Sequence, residues 1–322
     1  MGAPQSPPTP NPIVTLCGGV GAARFLRGLV RVVDPADVVA IVNTGDDRLF
    51  YGVHVSPDLD IVTYTMSGRV DRVRGYGIEG DRFDVIDALG GFGHENWFRL
   101  GDRDFATSHH RTLRLREGAG LSQVTEEISR QFGLTTRILP MSDDPCPTIV
   151  ELDGNRRVHF EEYLARDGAP NEVRGVDLSE AQRARPAPGV LDALAAAETI
   201  LLCPSNPVVS IGPILAVRGV REAVERSGAP VVAISPIVGG APVKGPADRL
   251  LRGVGAEVSA RGVAELYRGL IDGFVIDVRD ANLAGDIETM GIRTRVLDTI
   301  MGDVSASAQL AEAALSLAVS LR

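Results

Sequence analysis

The stretch "IVTLCGGVGAARFLRGL" (13–29), followed by "VVAIVNT" (38–44), leaves few folds open. The first five residues are apolar and largely β-branched, and three glycines then turn the chain. Phe25, Leu26, Leu29, Val30 and Val33 fall on one helical stripe, with Arg24, Arg27 and Arg31 off it. A second buried strand completes a βαβ unit, which requires parallel pairing and a right-handed crossover.

The same rhythm returns from about residue 190. "TILLC" reads as a strand, "IGPILAVRGVREAVERSG" as a helix closed by Gly228, and "PVVAISPIV" and "GFVIDV" as strands. A helix near 280–290 and the strand "IRTRVLDT" follow. In the middle, residues 60–132 read as several short helices broken by glycines and charges. "TTRILPMS" is then a strand, and "TIVELDGNRRVHFEEYL" a hairpin about Asp153-Gly154-Asn155. The expected fold class is α/β: a doubly wound, mostly parallel Rossmann-like sheet with a helical insertion and a small hairpin. Residues 13–322 form one domain on this reading, after a proline-rich leader, "MGAPQSPPTPNP", expected to be disordered.

Charge and cysteine usage narrow the function. A net charge of −9 argues against a nucleic-acid partner, so any bound anion needs a local cluster of donors. Lys244 is the only lysine, the other cationic side chains being arginine, whose forks suit bidentate phosphate contacts. Cys17, Cys146 and Cys203 show no CxxC spacing, which speaks against a disulfide framework or a zinc ribbon and fits a reducing cytoplasm. No apolar run approaches the ~18 residues that span a membrane.

Ligands of doubly wound sheets bind beyond the carboxyl ends of the strands. "CGGVG", "NTGDD", "PMSDDP", "CPSNP" and "SPIVGG" all fall there. Gly18, Gly19 and Gly21 let backbone N–H groups approach a phosphate at a helix N-terminus. The turn is neither G-x-G-x-x-G nor a Walker loop, and a tight turn without a ligand would leave the same glycines. Asp46, Asp47, Asp58 and Asp60 follow one strand end; turns and caps use aspartates too, but four together suggest a hard cation such as Mg²⁺ bridging to phosphate. "RLGDRDFATSHHR" (99–111) is a solvated helix start or a phosphoryl clamp, and its adjacent His109 and His110 diverge too far on a helix to share one ion. Ser142, Asp143, Ser205, Asn206 and Ser210 are ligand-contacting or helix-capping candidates.

Taken in order, "CGGVGAARFLRGL", "NTGDD", "SPDLDIVTY", "LGDRD", "ILPMSDDP", "PSNPVVSIGPIL", "SPIVGGAPVKGPA" and "GVAELY" make the chain resemble the 2-phospho-L-lactate transferase (CofD/FbiA) family from about residue 13 to its end. The resemblance implies transfer of a phosphoenolpyruvyl or 2-phospholactyl group from a guanosine-diphospho donor to 7,8-didemethyl-8-hydroxy-5-deazariboflavin. GMP is released, Mg²⁺ assists, and the product belongs to coenzyme F(420) biosynthesis. It also implies a homodimer, and the arginine-rich composition leans towards the actinobacterial, phosphoenolpyruvyl type. Carried over by position, Asp60 and Arg99 match deazaflavin-binding positions, while the glycine turn and Ser205-Asn206 match the side holding the donor. Asp47 with Asp58 or Asp60 would hold the metal, Asp46 matching the family less well. Arg24 or Arg99 would offset developing charge, and the acidic cluster would accept the hydroxyl proton. Two other readings compete: a nucleotide-sugar-binding regulator of the same superfamily, and a dinucleotide oxidoreductase. The first has a glycine- and serine-rich stretch after its acidic pair, where this chain has "RLFYGVHVSPDLD", and the second needs a full glycine fingerprint that this chain lacks.

Overall fold

The computed structural model describes residues 11–322, so the leader lies outside the described residues except for Asn11 and Pro12. Seven strands build the central sheet: β1 (Ile13–Cys17), β2 (Val38–Val42), β3 (Arg137–Pro140), β4 (Thr199–Leu202), β5 (Val231–Ile234), β6 (Gly273–Asp277) and β7 (Arg293–Leu297). They are all parallel and run in the order β7-β6-β5-β4-β1-β2-β3. The chain winds outwards from β1 through β2 to β3, then returns to the other side of β1 with β4. The topological switch point therefore lies between β1 and β4, where doubly wound sheets open a crevice.

Strand alternation sends side chains to two cores. Val14 and Leu16 of β1 join the larger cluster on one face; Ile13 and Cys17 join the other, with Phe25, Leu26 and Leu29 of helix α1 (Gly19–Leu29). Helix α2 (Pro57–Met66), helix α3 (Asp102–Arg116), helix α4 (Leu121–Gln131) and a C-terminal helix, α5 (Val304–Ser320), complete the frame needed here. Pro12 accepts a hydrogen bond from the Glu198 amide, 2.9 Å away, and the Arg322 guanidinium reaches the Glu198 carboxylate at 2.9 Å.

Several elements depart from the sequence reading. The helix expected to run unbroken to Gly228 is divided: Gly212–Ala216 and Val220–Arg226 are separated by an extended Val217 and a left-handed Gly219. The hairpin at Asp153-Gly154-Asn155 forms as expected, but Val173–Asp177 adds a third strand to it. A second hairpin, Arg48–Phe50 with Val53–Val55, stands within "NTGDDRLFYGVHVSPDLD". Its two-residue turn places Tyr51 at φ 54° and Gly52 at φ 79°, the backbone of a type I′ turn.

Helices α1 and α5 cross so closely that a side-chain carbon on Gly28 would lie 2.3 Å from the backbone of Ser307. Rigid backbone cannot yield as a flexible side-chain end can. Gly28→Ala is accordingly expected to cost about 1–3 kcal/mol through overpacking, read as a lowered denaturant midpoint. An unchanged midpoint would mean that the helices separate freely.

Candidate active site

The glycine turn meets α2 at the switch point. Gly18 precedes α1 with no side chain to cap it, and the Asp58 carboxylate takes that place: Gly19 N–H donates to Asp58 Oδ1 at 2.7 Å. Asn43, at the end of β2, donates from Nδ2 to Asp58 Oδ2 at 2.9 Å. A side-chain carbon on Gly18 would fall 2.5 Å from that same oxygen, so glycine is required here for the carboxylate to seat. Ser205 closes the turn from β4: its hydroxyl donates to Gly18 O at 2.9 Å and accepts from Gly18 N–H at 3.3 Å. Gly21 packs against the Pro204 carbonyl. Asn206 is a helix cap, accepting from Val208 N–H at 2.9 Å and Val209 N–H at 3.3 Å, so the cap is Asn206, one turn ahead of Ser210.

The four aspartates are all drawn to this end of the sheet, and each has different partners. Asp47 Oδ2 accepts from the Ser56 hydroxyl at 2.6 Å and lies 3.1 Å from His54 Nε2; its Oδ1 is buried and has no partner. Asp46 is buried and likewise keeps an unpartnered Oδ1. Asp60 is engaged on both oxygens by Arg111, with Nη1 donating to Oδ2 at 3.2 Å and Nη2 to Oδ1. Arg111 also donates to the His54 carbonyl at 3.1 Å, so one guanidinium, 1% exposed, ties α3 to both the hairpin and α2.

A fifth carboxyl, Glu161, enters from the turn after the Asp153 hairpin and was not among the sequence candidates. Burial, and then the charge of Asp58, push it up to about 8. Burial raises Asp58 to about 6 against the opposing pull of Asn43 and Gly19. Asp46 is held well above the usual carboxylate range by burial, then by Asp58 and Glu161. Buried like charges resist joint ionisation without a counter-ion, which is the electrostatic setting of a cation site. The "FEE" doublet was the available signal for Glu161; its neighbour Glu162 pairs outward with Arg48 at 2.6 Å.

Among the described residues, no group of three or more His, Cys, Asp or Glu side chains is arranged to hold a metal ion unaided. The expected set Asp47, Asp58 and Asp60 is thus not assembled as a ligand triad, because Asp58 and Asp60 spend their oxygens on Gly19, Asn43 and Arg111. The open oxygens belong to Asp46 and Asp47. Arg99 stands apart from this network, pairing with Asp87 at 2.6 Å and stacking over Phe83 at 4.6 Å. Arg24 is exposed on α1. A cavity of about 910 Å³, lined by Arg69, Arg103, His110 and Phe132 among others, contains none of these carboxylates.

A parallel sheet in the order 3-2-1-4-5-6-7, with a glycine turn and buried acids at its switch point, defines a Rossmann-like α/β protein. The sequence model of 2-phospho-L-lactate transferase CofD matches residues 13–307, and the chain belongs to that family. A phosphoenolpyruvate transferase of Streptomyces griseus is 47% identical over 96% of this chain and 99% of its own length. A 2-phospho-L-lactate transferase of Methanosarcina mazei is 40% identical over 93% of this chain and 98% of its own. Among solved structures, protein BH3568 of Bacillus halodurans shares the fold with a TM-score of 0.63 at 18% identity, covering 95% of this chain and all of its own.

Proposed function

We propose that the protein transfers a phosphoenolpyruvyl group, or the related 2-phospholactyl group, from a guanosine-diphospho donor to the ribityl hydroxyl of 7,8-didemethyl-8-hydroxy-5-deazariboflavin. GMP is released, and the reaction belongs to coenzyme F(420) biosynthesis. The observation that carries the reading is the buried acid cluster, seated against the glycine turn at the switch point of a chain of this family. The names of the actinobacterial relatives favour the phosphoenolpyruvyl donor.

Attack of an alcohol on a diphosphate phosphorus needs charge neutralisation and in-line placement more than a covalent intermediate. Asp46 and Asp47 fit Mg²⁺, because each has a hard oxygen without a protein partner, and Mg²⁺ is commonly held by one or two carboxylates with substrate phosphates. When bound there, the ion would neutralise diphosphate oxygens. Ser56 fixes Asp47 through Oδ2, which leaves Oδ1 for the ion, and another carboxyl of the buried cluster takes the attacking hydroxyl's proton. Ser205 and Asp58 already take the Gly18 and Gly19 N–H groups, so a diphosphate at this turn would be held through the ion and not through those amides. The Arg99–Asp87 pair, between side chains 38% and 60% exposed, is weak, so the Arg99 guanidinium is available to the acceptor. The reading includes a homodimer in a reducing cytoplasm, in keeping with three buried free cysteines.

Purified protein with Mg²⁺, the deazariboflavin and each donor in turn, followed by mass spectrometry, tests the reaction. The expected result is one phosphodiester product with GMP, from the phosphoenolpyruvyl donor. Product from neither donor, with no acceptor binding, would leave a nucleotide-binding protein without this chemistry.

A further inference from the structure

A second concentration of charge lies on the flank of α1 turned away from Pro204 and Ser205. A cavity of about 270 Å³ opens there, with Arg24 and Arg27 of α1, Arg72 of the loop after α2, and Gly302 and Asp303 ahead of α5 in its wall. The sole lysine also approaches: the Lys244 ammonium stands 3.5 Å from the point where a side chain on Gly75, another wall residue, would begin. The glycine- and proline-rich loop that the sequence singled out therefore carries its one cation to this rim.

The cations here have no ion-pair partners. Among the described residues, none of Arg24, Arg27, Arg72 and Lys244 makes an ion pair, in a molecule where more than twenty others form. Arg27 Nε is buried without a hydrogen-bond partner. The Arg27 guanidinium is held below its usual range by burial, then by Arg72, Arg24 and Arg31, against the weaker opposing pull of Asp303. Both carboxylates in the wall are already engaged: Asp71 accepts from Arg74 Nε at 2.9 Å and from the Val73 and Arg74 amides, and Asp303 caps α5 through the Ala306 amide at 2.8 Å.

Self-repelling guanidinium groups around a cavity, in a chain of net charge −9, are unfavourable unless an anion completes them. We infer that this cavity is a second anion site, distinct from the glycine turn, which binds a phosphate or diphosphate group through Arg24, Arg27, Arg72 and Lys244. Guanidinium forks match phosphate oxygens in pairs, and the volume suits one small polyanion with little room for a base. The inference does not depend on the reaction proposed above. The diphosphate has two sources, a free phosphate effector or the phosphates of the nucleotide donor.

The test titrates inorganic pyrophosphate and, separately, GDP into the metal-free protein at low ionic strength, following calorimetric heat and Tm. Wild type is compared with the double variant Arg27→Gln, Arg72→Gln. The expected result is saturable pyrophosphate binding that weakens at least tenfold in the variant, whose own Tm without ligand is equal or higher because repulsion is relieved. If the variant weakens GDP to the same degree, the site holds nucleotide phosphates. If pyrophosphate still binds with GDP saturating, it holds a separate anion. Pyrophosphate binding that is absent in wild type, or unchanged in the variant, overturns the site.

Discussion

Arg111→Ala should be among the most damaging single substitutions in this protein, costing roughly 3–5 kcal/mol of stability. Arg111 and Asp60 face each other with side chains 1% and 6% exposed, so removing the cation strands a buried carboxylate. A further attachment fails with it, since the same guanidinium holds the His54 carbonyl and thereby the hairpin. Denaturant unfolding of Arg111→Ala reads the loss. The double variant Arg111→Met, Asp60→Leu should recover most of it, because replacing both ions by apolar groups avoids the stranded charge. A loss below about 1 kcal/mol for Arg111→Ala would show that water reaches Asp60 and that the pair is not a structural tie.

The second large effect is on rate. Asp47→Asn should lower kcat about 100-fold or more, equivalent to about 2.7 kcal/mol of transition-state stabilisation, with little change in donor affinity. The side chain suits this test because the asparagine oxygen can still accept from the Ser56 hydroxyl, so the fold is expected to survive. What is lost is the charge on the unpartnered Oδ1. Asp60 is a poorer probe: Asp60→Asn strips Arg111 of its counter-charge and mixes folding with chemistry. A kcat within threefold of wild type, measured with the same acceptor, would remove Asp47 from the machinery.

Much of the fold could be read from periodicity. β1, β2 and β4 to β6 are mostly apolar runs, buried on both faces, and such runs declare a covered parallel sheet. What escaped was short or encoded by pairing. The hairpin at 48–55 has three-residue strands and a Tyr-Gly turn in place of Asn-Gly, too little signal to stand out beside four aspartates. The site was legible in outline, because glycines and aspartates clustered at strand ends reach one crevice. Its division of labour was not. Nothing local distinguishes Asp58, which seats on Gly19, from Asp60, which seats on an arginine fifty-one positions away. Glu161 was hidden for the same reason, arriving from the turn that follows a separate hairpin.

The meeting of Pro12 and Arg322 at Glu198 has a consequence for topology. With both ends of the described chain fastened to one residue, the path through the molecule is in effect a ring that happens to be cut there. A short covalent bridge could close the cut, and a new opening in an exposed loop would give a circular permutant with every strand neighbour unchanged. The order in which a ribosome would deliver β1 and β4, the two halves of the crevice, is then a free variable of the fold.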